Sequence, residues 1–253
     1  MSERIYRDSV HDIIRIETDS DEGRLLVALV DTPEFQRLRR VRQLGLAHFA
    51  YQAAEHSRFT HSLGAFHLAT RMLERLGRNY KISNEEQTAV RVAALLHDVG
   101  HGAFSHVIES ILGFHHEQFT IDAVLSEETS IGKLLRGFSS TLSEDVASII
   151  RGNFRPMALA QLISSQLDVD RMDYLLRDSL MTGATLRCRW PGQELGVCLK
   201  SQRQVPHPCL GVPALEAHPG LIAPRSPGCD YEWVRQPAKA GTPNRLSRME
   251  SRL

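Results

Sequence analysis

The sequence predicts an all-α fold with one small β-hairpin at its N-terminus. Three features carry that prediction. Apolar residues recur at helical spacing through residues 59–76, at Leu63, Phe66, Leu68, Met72, Leu73 and Leu76. The string Ser83-Asn84-Glu85-Glu86 is a capping box that opens another apolar run. Strand-like β-branched residues, by contrast, cluster at the N-terminus, where Ile5, Val10, Ile13, Ile14 and Ile16 flank a polar turn between Asp8 and Asp12.

Taken in order, the hairpin is followed by a helical stretch at residues 25–29. Pro33 then suits the first turn of a helix through Arg40. Residues 43–57 lack a helical period and read as a loop. The helix over 59–76 comes next, and the capped helix runs through Val90, Ala93, Ala94, Leu95 and Leu96 to His97-Asp98. Shorter helices are predicted over 105–112, 116–125 and 143–151, the last stopped by Gly152. Pro156 starts a helix through Ile163, and a final one covers 168–181, ended by Gly183. No internal repeat is visible.

A chain of 253 residues suffices for one large domain or two small ones and for a true core, and its 42% hydrophobic content is that of an ordinary globular protein. The formal net charge is zero, so composition does not point to a nucleic-acid or membrane partner. The N-terminus is charged and lacks the apolar stretch of a signal peptide, and no apolar run approaches the ~18 residues of a membrane span. The expectation is a cytoplasmic protein with no membrane partner.

That zero charge sums two unlike parts. Residues 1–185 hold 20 Lys/Arg against 25 Asp/Glu, and residues 186–253 hold 10 against 5. The second part also contains nine of the eleven prolines, both tryptophans and all four cysteines, Cys188, Cys198, Cys209 and Cys229. It shows no sustained period, so residues 1–185 are expected to form the domain and 186–253 an irregular, poorly packed tail. The cysteines include no close C-x₂-C pair and read as unrelated thiols. The tail's positive charge is diffuse and lacks interleaved aromatics, so nucleic acid is not an expected partner.

The chemistry starts at His97-Asp98, two polar residues ending the apolar run Ala93-Ala94-Leu95-Leu96. A buried imidazole beside a carboxylate costs free energy unless each finds a partner. One cation would serve both; a capping Asp beside a core His is the plainer alternative. His101 follows at i+4 and shares a face with His97 if the helix continues. Gly100 and Gly102 around it would let the backbone approach an anion.

Downstream stand His106, Glu109 and His115-His116-Glu117, and upstream Arg58-Phe59-Thr60-His61. The string Asp168-Val169-Asp170-Arg171-Met172-Asp173-Tyr174 places three acids on about two helical turns. Imidazoles with carboxylates, and no thiol nearby, suit Mn²⁺, Fe²⁺, Co²⁺, Ni²⁺ or Zn²⁺. Such an ion polarises a phosphoryl oxygen and activates water, while surplus His and Arg neutralise phosphate and protonate a leaving oxygen.

The pattern His61 … His97-Asp98 … Asp170 resembles the H…HD…D signature of the HD-domain phosphohydrolases. The strings at 31–39 (Asp31 to Arg39), 42–45, 55–64, 97–102 and 168–174 are similar to one branch, that of the bacterial dNTP triphosphohydrolases and the mammalian SAM-and-HD-domain dNTPase. The resemblance covers residues 4–185. It implies an all-α HD domain that hydrolyses a dNTP to deoxynucleoside and inorganic triphosphate, using a divalent metal ion (Mn, Fe, Mg, Co, Ni or Zn). It implies His61, His97, Asp98 and Asp170 as metal ligands, and Arg58, His101, His106, Arg171 and Tyr174 near the phosphates or the attacked phosphorus. His116 falls at the position of a catalytic general acid and Glu109 at that of its acidic partner. Gln43, Leu44 and Asp178 fall near the sugar. A nucleotide substrate and a homo-oligomer, dimer or tetramer, are implied as partners. The alternatives are the same cage acting on nucleoside monophosphates or cyclic nucleotides, and a catalytically weak nucleotide-binding homologue.

The likeness has two departures. Tyr51-Gln52-Ala53-Ala54 stands where relatives tend to have a proline, and after Thr185 the chain continues Leu186-Arg187-Cys188 where relatives have a Tyr-Gly pair and further helices. The expectation is a shifted reading frame or altered terminus, with impaired activity. Other residues have plainer readings. His11, His48, His56 and His67 read as structural or surface, and Asp173 as a helix salt-bridge partner. The cluster Gln36-Arg37-Leu38-Arg39-Arg40 reads as a solvated face or as a nucleotide-linked subunit interface. Helix phase alone does not decide between His115 and His116.

Overall fold

A computed structural model describes residues 2–184 except 105, 166 and 167. The expected tail, 186–253, and the boundary at 185 lie outside the described residues. Two antiparallel strands, β1 (Glu3–Asp8) and β2 (Asp12–Glu17), pair from Glu3↔Glu17 to Asp8↔Asp12. Helices α1 (Asp21–Val30), α2 (Pro33–Gln36), α3 (Arg58–Leu76), α4 (Asn84–Leu96) and α5 (His106–Leu112) follow. Then come α6 (His116–Leu125), α7 (Ser130–Phe138), α8 (Leu142–Ile150), α9 (Met157–Ala160) and α10 (Val169–Thr182).

Capping sets several helix starts, among them the Ser83 box that the sequence predicts. Ser20, Thr32 and Ser83 each accept the backbone N–H three residues on, and Ser83 and Glu86 close the reciprocal box. Asp168 caps α10 by accepting the Arg171 backbone N–H at 2.8 Å.

Some expectations need correction. The helix expected through Arg40 is α2 followed by a 3₁₀ turn at Arg37–Arg40, and the expected loop over 43–57 contains another at Gly45–Phe49. The helix expected from Pro156 to Ile163 is only Met157–Ala160. Helix α4 does not continue to His101: His97 is its C-cap, and a tight turn with a His101 N–H to Asp98 carbonyl bond of 3.0 Å brings His101 back. Helix α7 was not expected at all. Thr129 caps it, and its buried Ile131 and Leu135 pack onto α6, α8 and α1.

Helix α4 is the axis of the core. Val90, Val92, Ala93, Ala94, Leu95 and Leu96 are fully buried around its circumference, flanked by α3 on one side and α8 on the other. Each buried Leu or Val contributes roughly 1.5–3 kcal/mol, which fixes the C-terminal end of α4 firmly. That end carries His97 and Asp98. Helix α10 packs along α3 and brings Asp170 to the same place.

Candidate active site

His61, on α3, is completely buried. Its Nε2 lies 3.3 Å from Nε2 of His97, 3.0 Å from Asp170 Oδ1 and 3.7 Å from Asp98 Oδ2. His97 Nε2 stands 3.6 Å from Asp98 Oδ1 and 3.7 Å from Asp170 Oδ1. The four residues implied as ligands therefore converge from three separate elements.

Tautomer logic shows what this cluster fits. His97 Nδ1 donates to the Ala94 carbonyl at 2.8 Å, and a carbonyl only accepts. His61 Nδ1 donates to Asp173 Oδ2 at 2.8 Å. In both neutral rings the lone pair then sits on Nε2, and the two lone pairs face each other beside two carboxylates. That arrangement repels unless positive charge lies between them. Ligand atoms held at ~2.1 Å by one ion lie about 3 Å apart at right angles, close to the shortest separations here. A His₂Asp₂ donor set suits a first-row divalent cation.

The electrostatics agree. Burial disfavours charge on His61, yet Asp170 and Asp173 hold its pKa up at about 10. His97 is raised as well: burial opposes its charge, and Asp98 and Asp170 outweigh it. Asp170 is lowered despite burial, by His61 and His97. In the metal-free state this positive charge is a proton on the imidazoles; a divalent ion between them would take its place.

Beyond the cage, Arg58 donates to Asp98 Oδ2 at 2.6 Å, and burial does not prevent Asp98 from being held well below the usual carboxylate range by Arg58 and the neighbouring histidines. His101 Nε2 lies 3.4 Å from Asp98 Oδ1. Burial drives His101 down to about 2 against the opposing pull of Asp98, part of which Arg58 offsets, so it is a neutral imidazole. Glu109 forms a second focus. It accepts from His116 Nδ1 at 3.1 Å and His106 Nδ1 at 3.3 Å, and its Oε1 lies 3.0 Å from His101 Nδ1 without a hydrogen-bonding angle. Burial would raise Glu109, but His116 and His106 lower it.

These four groups are close enough to share an ion. However, the His101 and His116 rings stack at 3.6 Å and 15°, so their in-plane lone pairs run parallel and do not converge. The set is better arranged for proton work around Glu109.

A cavity of about 210 Å³ joins the two foci. Gln43, Arg58, His97, Asp98, His101, His106, His116, Glu117, Asp170 and Tyr174 line it, together with Ile150, Ile163 and Ser164, which the sequence did not single out. His116, not His115, faces it. Leu44 is partly buried at the start of a 3₁₀ turn and Arg171 contributes its backbone to the α10 cap; neither lines the cavity. Asp178 is buried behind it, accepting His56 Nε2 at 2.7 Å.

Gly100 is required by packing, and no anion explains it. A Cβ there would fall 2.0 Å from the His116 carbonyl oxygen. This close approach, with Thr120 Oγ1 accepting the Gly100 N–H at 2.9 Å and donating to the His97 carbonyl, docks α6 and His116 onto the HD turn. Arg37 is exposed but donates to the carbonyls of Val99 and His101, clasping the same turn, so the basic cluster is more than a solvated face. Arg39 lies over the Phe59 ring at 3.5 Å.

Asp173 does pair with Arg177 as a helix salt bridge, at 2.8 and 2.9 Å, but it also orients His61. Gly64 makes room for it: a Cβ there would sit 1.8 Å from Asp173 Oδ1 and 2.5 Å from Arg177 Nη2. Those side-chain ends are locked by the hydrogen bonds just described and cannot swing away. Gly64→Ala is expected to lower stability by ~1–3 kcal/mol, an overpacking cost; an unchanged urea midpoint would contradict this.

Residues 58–178 match the family model for the HD domain. Fold, cage and family model together place the chain in the HD-domain family. YwfO of Bacillus subtilis is 39% identical over 184 residues, covering 72% of this chain and 41% of that protein. A deoxynucleoside triphosphate triphosphohydrolase SAMHD1 homolog of Dictyostelium discoideum is 34% identical over 203 residues, covering 74% of this chain and 38% of that protein. The crystal structure of a phosphohydrolase from Bacteroides thetaiotaomicron superposes with a TM-score of 0.63 at 37% identity, covering 73% of this chain and 44% of that one. The chain thus spans less than half the length of each of these relatives. Among the described residues, no helix is long and apolar enough to cross a membrane.

Proposed function

We propose that the chain is a metal-dependent phosphohydrolase that cleaves deoxynucleoside triphosphates to deoxynucleoside and inorganic triphosphate. The observation that carries this reading is one continuous cavity, lined by His97, Asp98 and Asp170 of the first cluster and by His101, His106 and His116 of the second. The triphosphohydrolase named among the relatives supports the substrate class.

A divalent cation held by the cage would supply Lewis acidity, polarising a phosphoryl oxygen and making water nucleophilic near neutral pH. The remaining work falls to the chain's own side chains. Arg58, already paired with Asp98 at the cavity wall, places positive charge beside the phosphates. Neutral His101 offers a hydrogen bond without adding charge. As water adds to the α-phosphorus, the bond to the 5′-oxygen breaks, and that oxygen needs a proton. His116 is placed to give it: Glu109 holds Nδ1, leaving Nε2 as the atom that delivers the proton.

The test is incubation with each dNTP and Mn²⁺ or Mg²⁺, resolving products by ion-exchange chromatography. Deoxynucleoside and triphosphate in equal amounts are expected. Release of pyrophosphate or orthophosphate instead would overturn the reading. A cavity of about 210 Å³ is small beside the ~300–1,000 Å³ that enclose whole ligands. That size favours, as a second reading, a nucleoside monophosphate or cyclic nucleotide, for which the same chromatography would show nucleoside with orthophosphate, or nucleoside monophosphate.

A further inference from the structure

The turn of the N-terminal hairpin reaches the cage from behind. Asp8 Oδ1 accepts the backbone N–H groups of Val10 at 2.9 Å and His11 at 3.0 Å, closing the turn between β1 and β2. The same carboxylate clasps Arg177 of α10 at 2.8 and 3.3 Å. Arg177 is 1% exposed, so its charge depends on Asp8 and Asp173.

His11 makes a different contact. Its Nε2 donates to Asp173 Oδ1 at 2.6 Å, across 162 positions of sequence, while Asp173 Oδ2 accepts His61 Nδ1. Asp173 is fully buried and takes four donors: His11, His61 and two nitrogens of Arg177. Four is about the number a carboxylate can accept. Pinning the hairpin to α10 needs only the Asp8–Arg177 pair. The bond from His11 is spent on the one carboxylate that fixes the tautomer and ring plane of His61. Without it, Asp173 Oδ1 keeps only Arg177 Nη2 as a donor; the bidentate Arg177 pair still holds the carboxylate plane, but the carboxylate is pulled from one side only, and the position and charge it offers His61 Nδ1 change with it.

We propose that the β1–β2 turn is the outermost layer of the metal site, with Asp8 and His11 as positioning residues that act through Arg177 and Asp173 to present His61 Nε2 to the cation. The proposal rests on the reading of His61 as a ligand. Outer partners of ligating histidines typically change metal affinity by ~10–100-fold, and His11 and Asp8 stand one layer further out along the same chain of bonds.

The experiment uses the full chain loaded with Co²⁺, titrated against a chelator while its visible d–d spectrum is recorded. His11→Ala should weaken Co²⁺ binding about 10-fold or more and shift the spectrum. His11→Gln, which keeps a side-chain donor for Asp173, should recover most of both. Asp8→Asn keeps an acceptor for the turn but removes the charge facing Arg177, and should give a smaller loss in the same direction; it carries the test if His11→Ala fails to fold. Wild-type affinity and spectrum in His11→Ala overturn the proposal. So do equal losses in His11→Ala and His11→Gln accompanied by equal falls in the metal-free melting temperature, the mark of a merely structural role. His61→Ala, run in parallel, separates the premises: if it keeps Co²⁺, the cage reading fails, and if it alone loses Co²⁺, only the role of the turn fails.

Discussion

Asp170→Ala is expected to empty the cage. The wild-type protein should carry about one divalent transition-metal ion per chain, and the variant close to none. The size of the effect follows from the geometry. Asp170 Oδ1 is the group nearest His61 Nε2, at 3.0 Å, and it also reaches His97 at 3.7 Å. Asp98 cannot take over its share, because Asp98 is already bound to Arg58 at 2.6 Å and lies further from His61, at 3.7 Å. Removing Asp170 leaves two facing imidazole lone pairs with one committed carboxylate. Phosphohydrolase activity should vanish with the metal. Elemental analysis settles the matter directly, and unchanged metal in both Asp170→Ala and His97→Ala would remove the cage from the account of this protein.

The proposed ligands were approachable in the sequence because His97, Asp98 and Asp170 sit at punctuation marks. His97 and Asp98 end a helix whose start is announced by Ser83 and Glu86 and whose second half, from Val90 to Leu96, is apolar apart from Arg91. Asp170 lies in the first turn of α10, just after the Asp168 cap. Capping chemistry and periodicity are local signals, and they survive in the sequence. Helix α7 was harder to see. Its Ile131, Leu134, Leu135 and Phe138 do follow a helical spacing, but the element is only nine residues long and holds Gly132 and Gly137, both poor helix formers. Tertiary packing of its buried face onto α6 and α8 decides the matter.

What supports the cage was illegible for a different reason. Nothing within a helical window links His11 to Asp173, or Arg37 to the carbonyls of Val99 and His101; these contacts exist only once the hairpin and the 3₁₀ turn are folded onto the bundle. Arg177 did offer one signal, its i+4 relation to Asp173, which reads as an ordinary surface pair until burial is known. Gly100 shows the converse error. A glycine beside a candidate anion site invites a functional explanation, and the structure fills the space with the backbone of α6.

His116→Ala should separate binding from chemistry. His116 sits at the first residue of α6, held in place by the close contact of its carbonyl with Gly100 and by the bond from its Nδ1 to Glu109. It makes no contact with His61 or Asp170, so the variant is expected to keep its metal and to bind nucleotide about as tightly as wild type. Turnover should fall by roughly 10²–10⁴-fold, the span associated with loss of a general acid. The neighbouring groups do not replace it. His101 is a neutral imidazole with a pKa of about 2 and little capacity to hold a proton. His106 is largely exposed, its side chain 69% accessible, and shares the same carboxylate, Glu109, at a longer 3.3 Å. Measured together, metal content, nucleotide affinity and rate give a result with one clear failure. If His116→Ala loses metal while keeping its rate per bound ion, His116 belongs to a metal site and the assignment of the proton-delivering group is wrong.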